Sequence, residues 1–359
     1  MQKKSPRPRR TALPSQGTSP AGVSSIREFD LIRRIQKYAQ NYAIDGGLFD
    51  PSVLLGIGDD AAAFAPSPRN CILATTDILL EKTHFDLAFS SFFQIGYKAL
   101  SVNLSDIAAM GGTPRFYLVS LGLTGKESVR DIDSLYHGMF WAGDGLSISL
   151  IGGNTVRSHA GLFVSITLLG EAPKKEMVTR SLAHVGDFIY VTGTLGDSSA
   201  GLEVLKKRLR TGLFRGLTHK HLMPKARVQE GRLLAKHKIP SAMIDLSDGL
   251  SSDLFQIAKQ SGVGAQLACA DIPVSATLKR YAKAFGTNPY DYALHGGEEY
   301  ELLFCVPEKN RGRLKKLIHN EWIDARCIGK IIPNRNGILV KGMDGKVYKL
   351  KPLGYDHFR

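Results

Sequence analysis

Carboxylates recur in this sequence beside glycine, serine, threonine or asparagine, each at the edge of an apolar run. Asp59 and Asp60 follow Gly58 in "LLGIGDDAAAF", and Asp77 closes "ILATTD". Asp106 lies in "NLSDIAAMGG", Asp245 and Asp248 in "IDLSDG", and Glu298 and Glu299 in "HGGEEYEL". If such acids converge, they make a site for a hard cation. Mg²⁺ takes oxygen ligands, keeps several waters and shares its shell with substrate phosphates. Thr75 and Thr76 add hydroxyl oxygens next to Asp77. The chemistry this favours is phosphoryl transfer, which rests on positioning and charge neutralisation.

Asp106 is the sharpest of these acids. A helix over 91–110 would carry an apolar stripe of Ile95, Ala99, Val102 and Met110, with Asn103 and Asp106 on or beside it. An inward carboxylate is costly unless it is paired or bound to a metal. From spacing alone, a hydrogen-bonded buried acid and a metal ligand are equal readings. Gly56 and Gly58 would let the chain turn tightly after a strand. There Asp59 and Asp60 are both candidate ligands.

The elements that must hold these residues follow from periodicity. "REFDLIRRIQKYAQNYA" repeats apolar residues at helical spacing, and "DGG" ends it. Strands are expected at 71–76, 116–123, 145–153 and 162–170, with helices at about 91–110 and 127–142. "EAPKKE" (171–176) reads as a linker. A strand at 187–193 follows. "SAMIDLSDGL" reads as strand, sharp turn and helix to about Gln260, and further strands are expected at 265–274, 300–307 and 325–332. The expected organisation is a basic tail at 1–25, one domain over 26–170 and an α/β domain over 171–359.

The 359 residues suffice for two domains, and 43% apolar with 22% charged residues is ordinary for a globular protein. No apolar run is long enough to span a membrane, and the N-terminus has no apolar signal core. The four cysteines are scattered without ligand spacing, which fits reduced thiols and a cytoplasmic setting. Of the net charge of +14, part comes from Lys3, Lys4, Arg7, Arg9 and Arg10 in the tail. That tail holds no aromatic residue, which argues against specific nucleic-acid binding. Known nucleotide motifs are absent: "GLTGKES" lacks the spacing of a P-loop, and "GTLGDSSAG" is not a dinucleotide fingerprint.

Taken in order, "GIGDDAA", "TTD" with "THF" downstream, "YKALSVNLSDIAAMGG", "IGGNT", "YVTGTLGDSSAGL", "IDLSDGLSSDL", "GGEEYELLF" and "GYDHF" resemble the thiamine-monophosphate kinases from about Glu28 to Phe358. The resemblance implies a mixed α/β (α+β) fold of two domains, shared with aminoimidazole ribonucleotide synthetase and selenophosphate synthetase. A ferredoxin-like N-terminal domain would pair in a homodimer as a barrel, beside an α/β C-terminal domain, with ATP and Mg²⁺ between them. It further implies direct transfer of the ATP γ-phosphoryl group to thiamine monophosphate, giving thiamine diphosphate, with no covalent nucleophile and several Mg²⁺ ions.

By the same resemblance, Asp60, Gly153, Asn154, Arg180 and Ser247 would meet ATP. Asp60, Thr75, Thr76, Asp77, Asp106, Asn154, Asp245 and Asp248 would meet metal. His84, Glu298 and Tyr355 would line the thiamine-phosphate pocket. Two positions depart from the family pattern: Asn154 stands where Asp is usual and drops a charge, and Glu299 replaces Asp and keeps it. Glu299 is expected to be a structural neighbour of Glu298, and Asp253 a helix-surface acid. Selenophosphate synthetase is disfavoured because the first cysteine, Cys71, falls inside an expected strand. A purine-pathway synthetase matches "THF" and "GYDHF" poorly.

Overall fold

The computed structural model describes residues 69–209 and 211–355, a helical fragment at 34, 35, 37 and 38, and the backbone of 53–55 and 63–64. The basic tail, most of the expected first helix, Gly56, Gly58, Asp59, Asp60 and the end of "GYDHF" lie outside the described residues. Strands β1 (Val53–Leu55) and β2 (Ala63–Phe64) form a small antiparallel pair.

A four-stranded sheet follows, in the order β3 (Asn70–Leu80), β6 (Phe163–Pro173), β4 (Thr113–Leu123) and β5 (Ser149–Arg157). Helices α1 (Phe92–Ala109) and α2 (Val129–Ala142) lie between its strands in sequence. They cross at close range because glycine is present on each side. A Cβ on Gly96 would stand 1.8 Å from the Leu135 carbonyl oxygen, and one on Gly138 1.9 Å from that of Phe93. Helix α2 starts with a capping box: Ser128 Oγ accepts from Asp131 N, and the Asp131 carboxylate accepts from Ser128 N at 2.8 Å. Just before it, the Glu127 carboxylate accepts from Thr124 N, Thr124 Oγ1 and Gly125 N. "GLTGKES" is therefore a helix entry whose polar groups cap the chain.

A seven-stranded sheet carries β7 (Phe188–Thr192), β8 (Ala242–Asp245), β9 (Gly264–Ala268), β10 (Leu302–Val306), β11 (Ala325–Ile332), β12 (Ile338–Lys341) and β13 (Val347–Lys349). Its order is β13-β12-β9-β11-β7-β10-β8, and β12 runs parallel to β9. Around it lie α3 (Asp197–Lys206), α4 (Arg215–Leu222), α5 (Val228–Lys236), α6 (Leu250–Ser261), α7 (Ala276–Phe285), α8 (Pro289–His295) and α9 (Glu308–His319). Its core packs Ile189, Val191, Ile244, Leu303 and Ile328 of the strands against Leu250, Leu254 and Ile257 of α6. Ala200, Val204, Leu217, Leu278 and Tyr281 form a second cluster among α3, α4 and α7.

The chain divides into two compact units. One holds Thr76–Ala99 and Arg115–Leu168, the other Ser67–Thr75, Leu100–Pro114 and Leu169–Arg359. Several expected bounds shift. The strand expected at 145–153 is β5, Ser149–Arg157. β6 continues through Pro173 into the expected linker, where Asn70 Nδ2 donates to the Glu171 carboxylate at 2.9 Å and Cys71 Sγ to the Ala172 carbonyl. The strand expected at 265–274 ends at Ala268, where Cys269–Asp271 coil into a 3₁₀ turn. Cys269 and Cys305 are buried free thiols; Cys71 and Cys327 are half-buried and free.

Candidate active site

The second unit assembles two groups of the expected residues. The first forms around the end of α1. Consecutive residues on a helix point about 100° apart, so Ser105 and Asp106 serve different neighbours. Thr75 Oγ1 donates to the Asp106 carboxylate, and Ser105 Oγ donates to Asp245 Oδ2 at 2.7 Å. Burial pushes the Asp106 carboxyl up from its ordinary value, and the Thr75 hydroxyl and the Arg180 charge pull it part of the way back. The segment just before Arg180 is held by backbone bonds: Val178 N donates to the Met110 carbonyl, and Met243 N to the Thr179 carbonyl. Ser105, which the sequence reading left out, is thus the link from α1 to the end of β8. Only an inward serine next to Asp106 could have pointed to it.

The second group forms where "LSDG" meets "GGEEY". Glu298 N donates to the Ser247 carbonyl at 2.7 Å, and Glu299 N and Tyr300 N both donate to that of Leu246. Gly297 must lack a side chain, since a Cβ would stand 2.6 Å from the Ser247 carbonyl oxygen. Tyr355 N donates to the Asp248 carbonyl at 3.0 Å. Backbone bonds therefore bring together Ser247, Asp248, Glu298 and Tyr355, and the Tyr355 side chain is exposed. Asp253 departs from its expectation as a surface acid. It is 3% exposed, and its carboxylate accepts from Asp248 N and Gly249 N. The first turn of α6 faces inward, so its acid closes the turn that carries Asp248. Burial, then the charges of Asp245 and Asp248, push the Asp253 carboxyl well above the ordinary range.

The other expected residues lie in the first unit. Side chains alternate along a strand, so Thr75 and Asp77 share one face of β3 and Thr76 takes the other. The Thr76 hydroxyl lies 3.2 Å from that of Thr167. The side chain of Thr76 therefore cannot join Thr75 and Asp77 on one ligand. The Asp77 carbonyl accepts from Ser165 Oγ. His84 Nδ1 accepts from Leu80 N at 3.0 Å, which leaves the proton on Nε2. Gly153 pairs with Val119 in parallel register; a Cβ there would stand 2.1 Å from the Val119 carbonyl oxygen. Gly153 and Asn154 are both exposed. Asp60 is outside the described residues.

A divalent cation fits this donor set by type. The candidates are carboxylate, hydroxyl and amide oxygens, with no histidine or cysteine among them, as Mg²⁺ requires. The mutual repulsion of Asp245, Asp248 and Asp253 marks a place where positive charge would be stabilising. Among the described residues, no three His, Cys, Asp or Glu side chains form a ready metal cluster.

A different carboxylate cluster lies behind this turn. Glu301 is fully buried and is met by Lys220, by Arg227 through Nε and Nη2, and by Thr192 Oγ1. Burial works against its charge, but Lys220 and Arg227 prevail and hold the carboxyl at about 2.

Two family descriptions match the chain: AIR synthase related protein, N-terminal domain, over residues 58–172, and AIR synthase related protein, C-terminal domain, over 184–341. The thiamine-monophosphate kinase of Bacillus subtilis (strain 168) is 35% identical over 339 residues, covering 92% of this chain and 99% of its own. That of Escherichia coli (strain K12) is 37% identical over 334 residues, covering 92% and 98%. Among solved structures, AaThiL complexed with AMPPCP and TMP superposes with a TM-score of 0.72 at 34% identity, covering 94% of this chain and 98% of that one. With a mixed α/β fold of two AIR-synthase-type domains and kinship along nearly its whole length, the chain belongs to the thiamine-monophosphate kinase family.

Proposed function

We propose that this protein is an ATP-dependent kinase that converts thiamine monophosphate to thiamine diphosphate in thiamine biosynthesis. The observation that carries this reading is identity of 35–37% to thiamine-monophosphate kinases across 92% of the chain. The acceptor phosphate is already anionic and needs no strong general base. The obstacle is repulsion between two phosphorylated substrates, which fixed cations and a bound divalent ion offset. Mg²⁺, when bound, would neutralise phosphate charge.

Asp60, Thr75, Thr76, Asp77, Asp106, Asn154, Asp245 and Asp248 are the proposed metal-site residues, with Thr76 restricted to its backbone oxygen. The hydrogen bonds that orient Asp106 and Asp245 support two of them. Arg180, Ser247, Gly153 and Asn154 are proposed to meet ATP. Glu298, Tyr355 and His84 are proposed to meet thiamine phosphate. The proposed boundaries remain a tail at 1–25 and domains at 26–170 and 171–359. A homodimer is proposed through the four-stranded sheet. Ile72, Ile78 and Leu80 support it, because they leave an apolar face of β3 between 39% and 49% exposed. No helix among the described residues is long and apolar enough to cross a membrane.

The deciding experiment supplies the purified protein with ATP, Mg²⁺ and either thiamine monophosphate or thiamine. Thiamine diphosphate should form from the monophosphate and not from thiamine. Folded protein that binds ATP but makes no diphosphate overturns the reading.

A further inference from the structure

Glu298 sits on an unusual backbone. Its φ is +64°, and Tyr300 two residues on has φ +52°. Non-glycine residues in the left-handed region are strained and persist only where their surroundings hold them. The holding groups come from two helices. His221, in the last turn of α4, is 3% exposed. Its Nδ1 lies 3.2 Å from Glu298 Oε2 and 3.2 Å from Ser198 Oγ. Ser198, in the first turn of α3, donates its backbone N–H to Glu299 Oε1 at 2.9 Å. Glu298, His221, Ser198 and Glu299 thus close a ring under the strained turn.

Only one acid of this ring reaches outward. Glu299 is 1% exposed, whereas the Glu298 side chain is 26% exposed. Burial, only partly offset by Lys220, pushes the Glu299 carboxyl up to about 8, so it is mostly neutral at physiological pH. Glu298 is then the ring's outward charge. A carboxylate only accepts hydrogen bonds, so the contact assigns the histidine proton to Nδ1.

We infer that His221 is a positioning residue for the acceptor substrate: from beneath the turn it orients the Glu298 carboxylate toward the nitrogen-rich, cationic end of thiamine monophosphate. This rests on the proposed function, in which Glu298 lines the acceptor pocket. His221 touches neither substrate. It fixes one rotamer of Glu298, so its loss should weaken acceptor binding and leave nucleotide binding alone.

The test compares His221→Phe with His221→Asn. Phenylalanine keeps the bulk and removes the donor; an asparagine amide places a donor close to Nδ1. Hydrogen bonds to charged groups correspond to about a 10- to 100-fold change in affinity. His221→Phe should raise the KM and the calorimetric Kd for thiamine monophosphate by about 10-fold or more, with the KM for ATP within about twofold. His221→Asn should recover most of that loss. A KM for thiamine monophosphate within twofold in His221→Phe, or an equal rise for ATP, overturns the inference. If His221→Phe does not fold, a double-mutant cycle of Glu298→Gln with His221→Leu, which also lacks the donor, decides: coupled losses of acceptor affinity support the ring, and independent ones overturn it. Wild-type protein that forms no thiamine diphosphate would instead overturn the functional reading itself.

Discussion

Glu301 and Asp253 are both buried acids of the second unit, and their surroundings are opposite. Lys220 and Arg227 close on Glu301 and hold it ionised. Asp253 faces the charges of Asp245 and Asp248, which together with burial push its carboxyl upward. The first cluster is neutralised by the chain's own cations, so its role is to fix α4 and α5 to β10. The second gathers negative charge, and an incoming cation would relieve it. The sign of the neighbouring charge separates scaffold from site better than burial does, since both acids are buried.

The largest expected effect lies on the scaffold side. Glu301→Gln leaves Lys220 and Arg227 facing a neutral amide. Breaking a buried ion pair costs about 3–5 kcal/mol, so the denaturant midpoint should fall steeply. A midpoint within experimental error of wild type would remove the distinction between the two clusters.

Next comes the site side. Asp106→Asn and Asp77→Asn should each cut turnover by about 10²–10³-fold, the scale expected for removing one group that stabilises the transferring charge. Their melting temperatures should stay near that of wild type. Full turnover at saturating Mg²⁺ would make these acids structural.

The neighbours Glu299 and Glu301 sharpen the comparison through pH. Glu299 titrates near 8 in the folded chain against an ordinary 4.5. Its folded form holds the proton more tightly, so its stabilising contribution is complete below about 4.5 and is lost as pH rises through 8. Glu301 runs the other way: its contribution is present above 4.5 and is lost as pH falls toward 2. Glu299→Gln should flatten the decline in stability between pH 4.5 and 8 by up to about 1.4 kcal/mol per pH unit. Glu301→Gln should flatten the acid limb. Urea titrations across this range would show whether each limb belongs to its assigned residue.

The smallest effect concerns Asn154. Restoring a carboxylate by Asn154→Asp should lower the Mg²⁺ concentration for half-maximal activity by a few-fold, since one more anionic oxygen strengthens a hard-cation site. An unchanged Mg²⁺ requirement would place the residue away from the ion.

Much of this was legible in the primary structure. The strands around Asp77, Asp245 and Glu298 showed as short apolar runs, and the helix carrying Asp106 showed its stripe. The family resemblance rested on motifs spread along the chain. Other features were not legible. Strand parity alone could have warned that Thr76 points away from Thr75 and Asp77. Asp253 looked like any acid on a polar helix, because nothing local says which side of α6 the sheet will cover. Ser198 and His221 lie about 100 and 77 residues from their glutamate partners, beyond the reach of any spacing argument.

The sequence by itself determined which oxygen donors are present, their order, the elements that carry them and the family they belong to, because composition and periodicity are local properties. The tertiary structure decided which acids keep their charge and which partners orient them. Protonation depends on burial and on charges brought close from distant parts of the chain: Lys220 and Arg227 on Glu301, Asp245 and Asp248 on Asp253, His221 on Glu298. Two adjacent glutamates, Glu298 and Glu299, thereby part company, one facing outward and one buried with its proton.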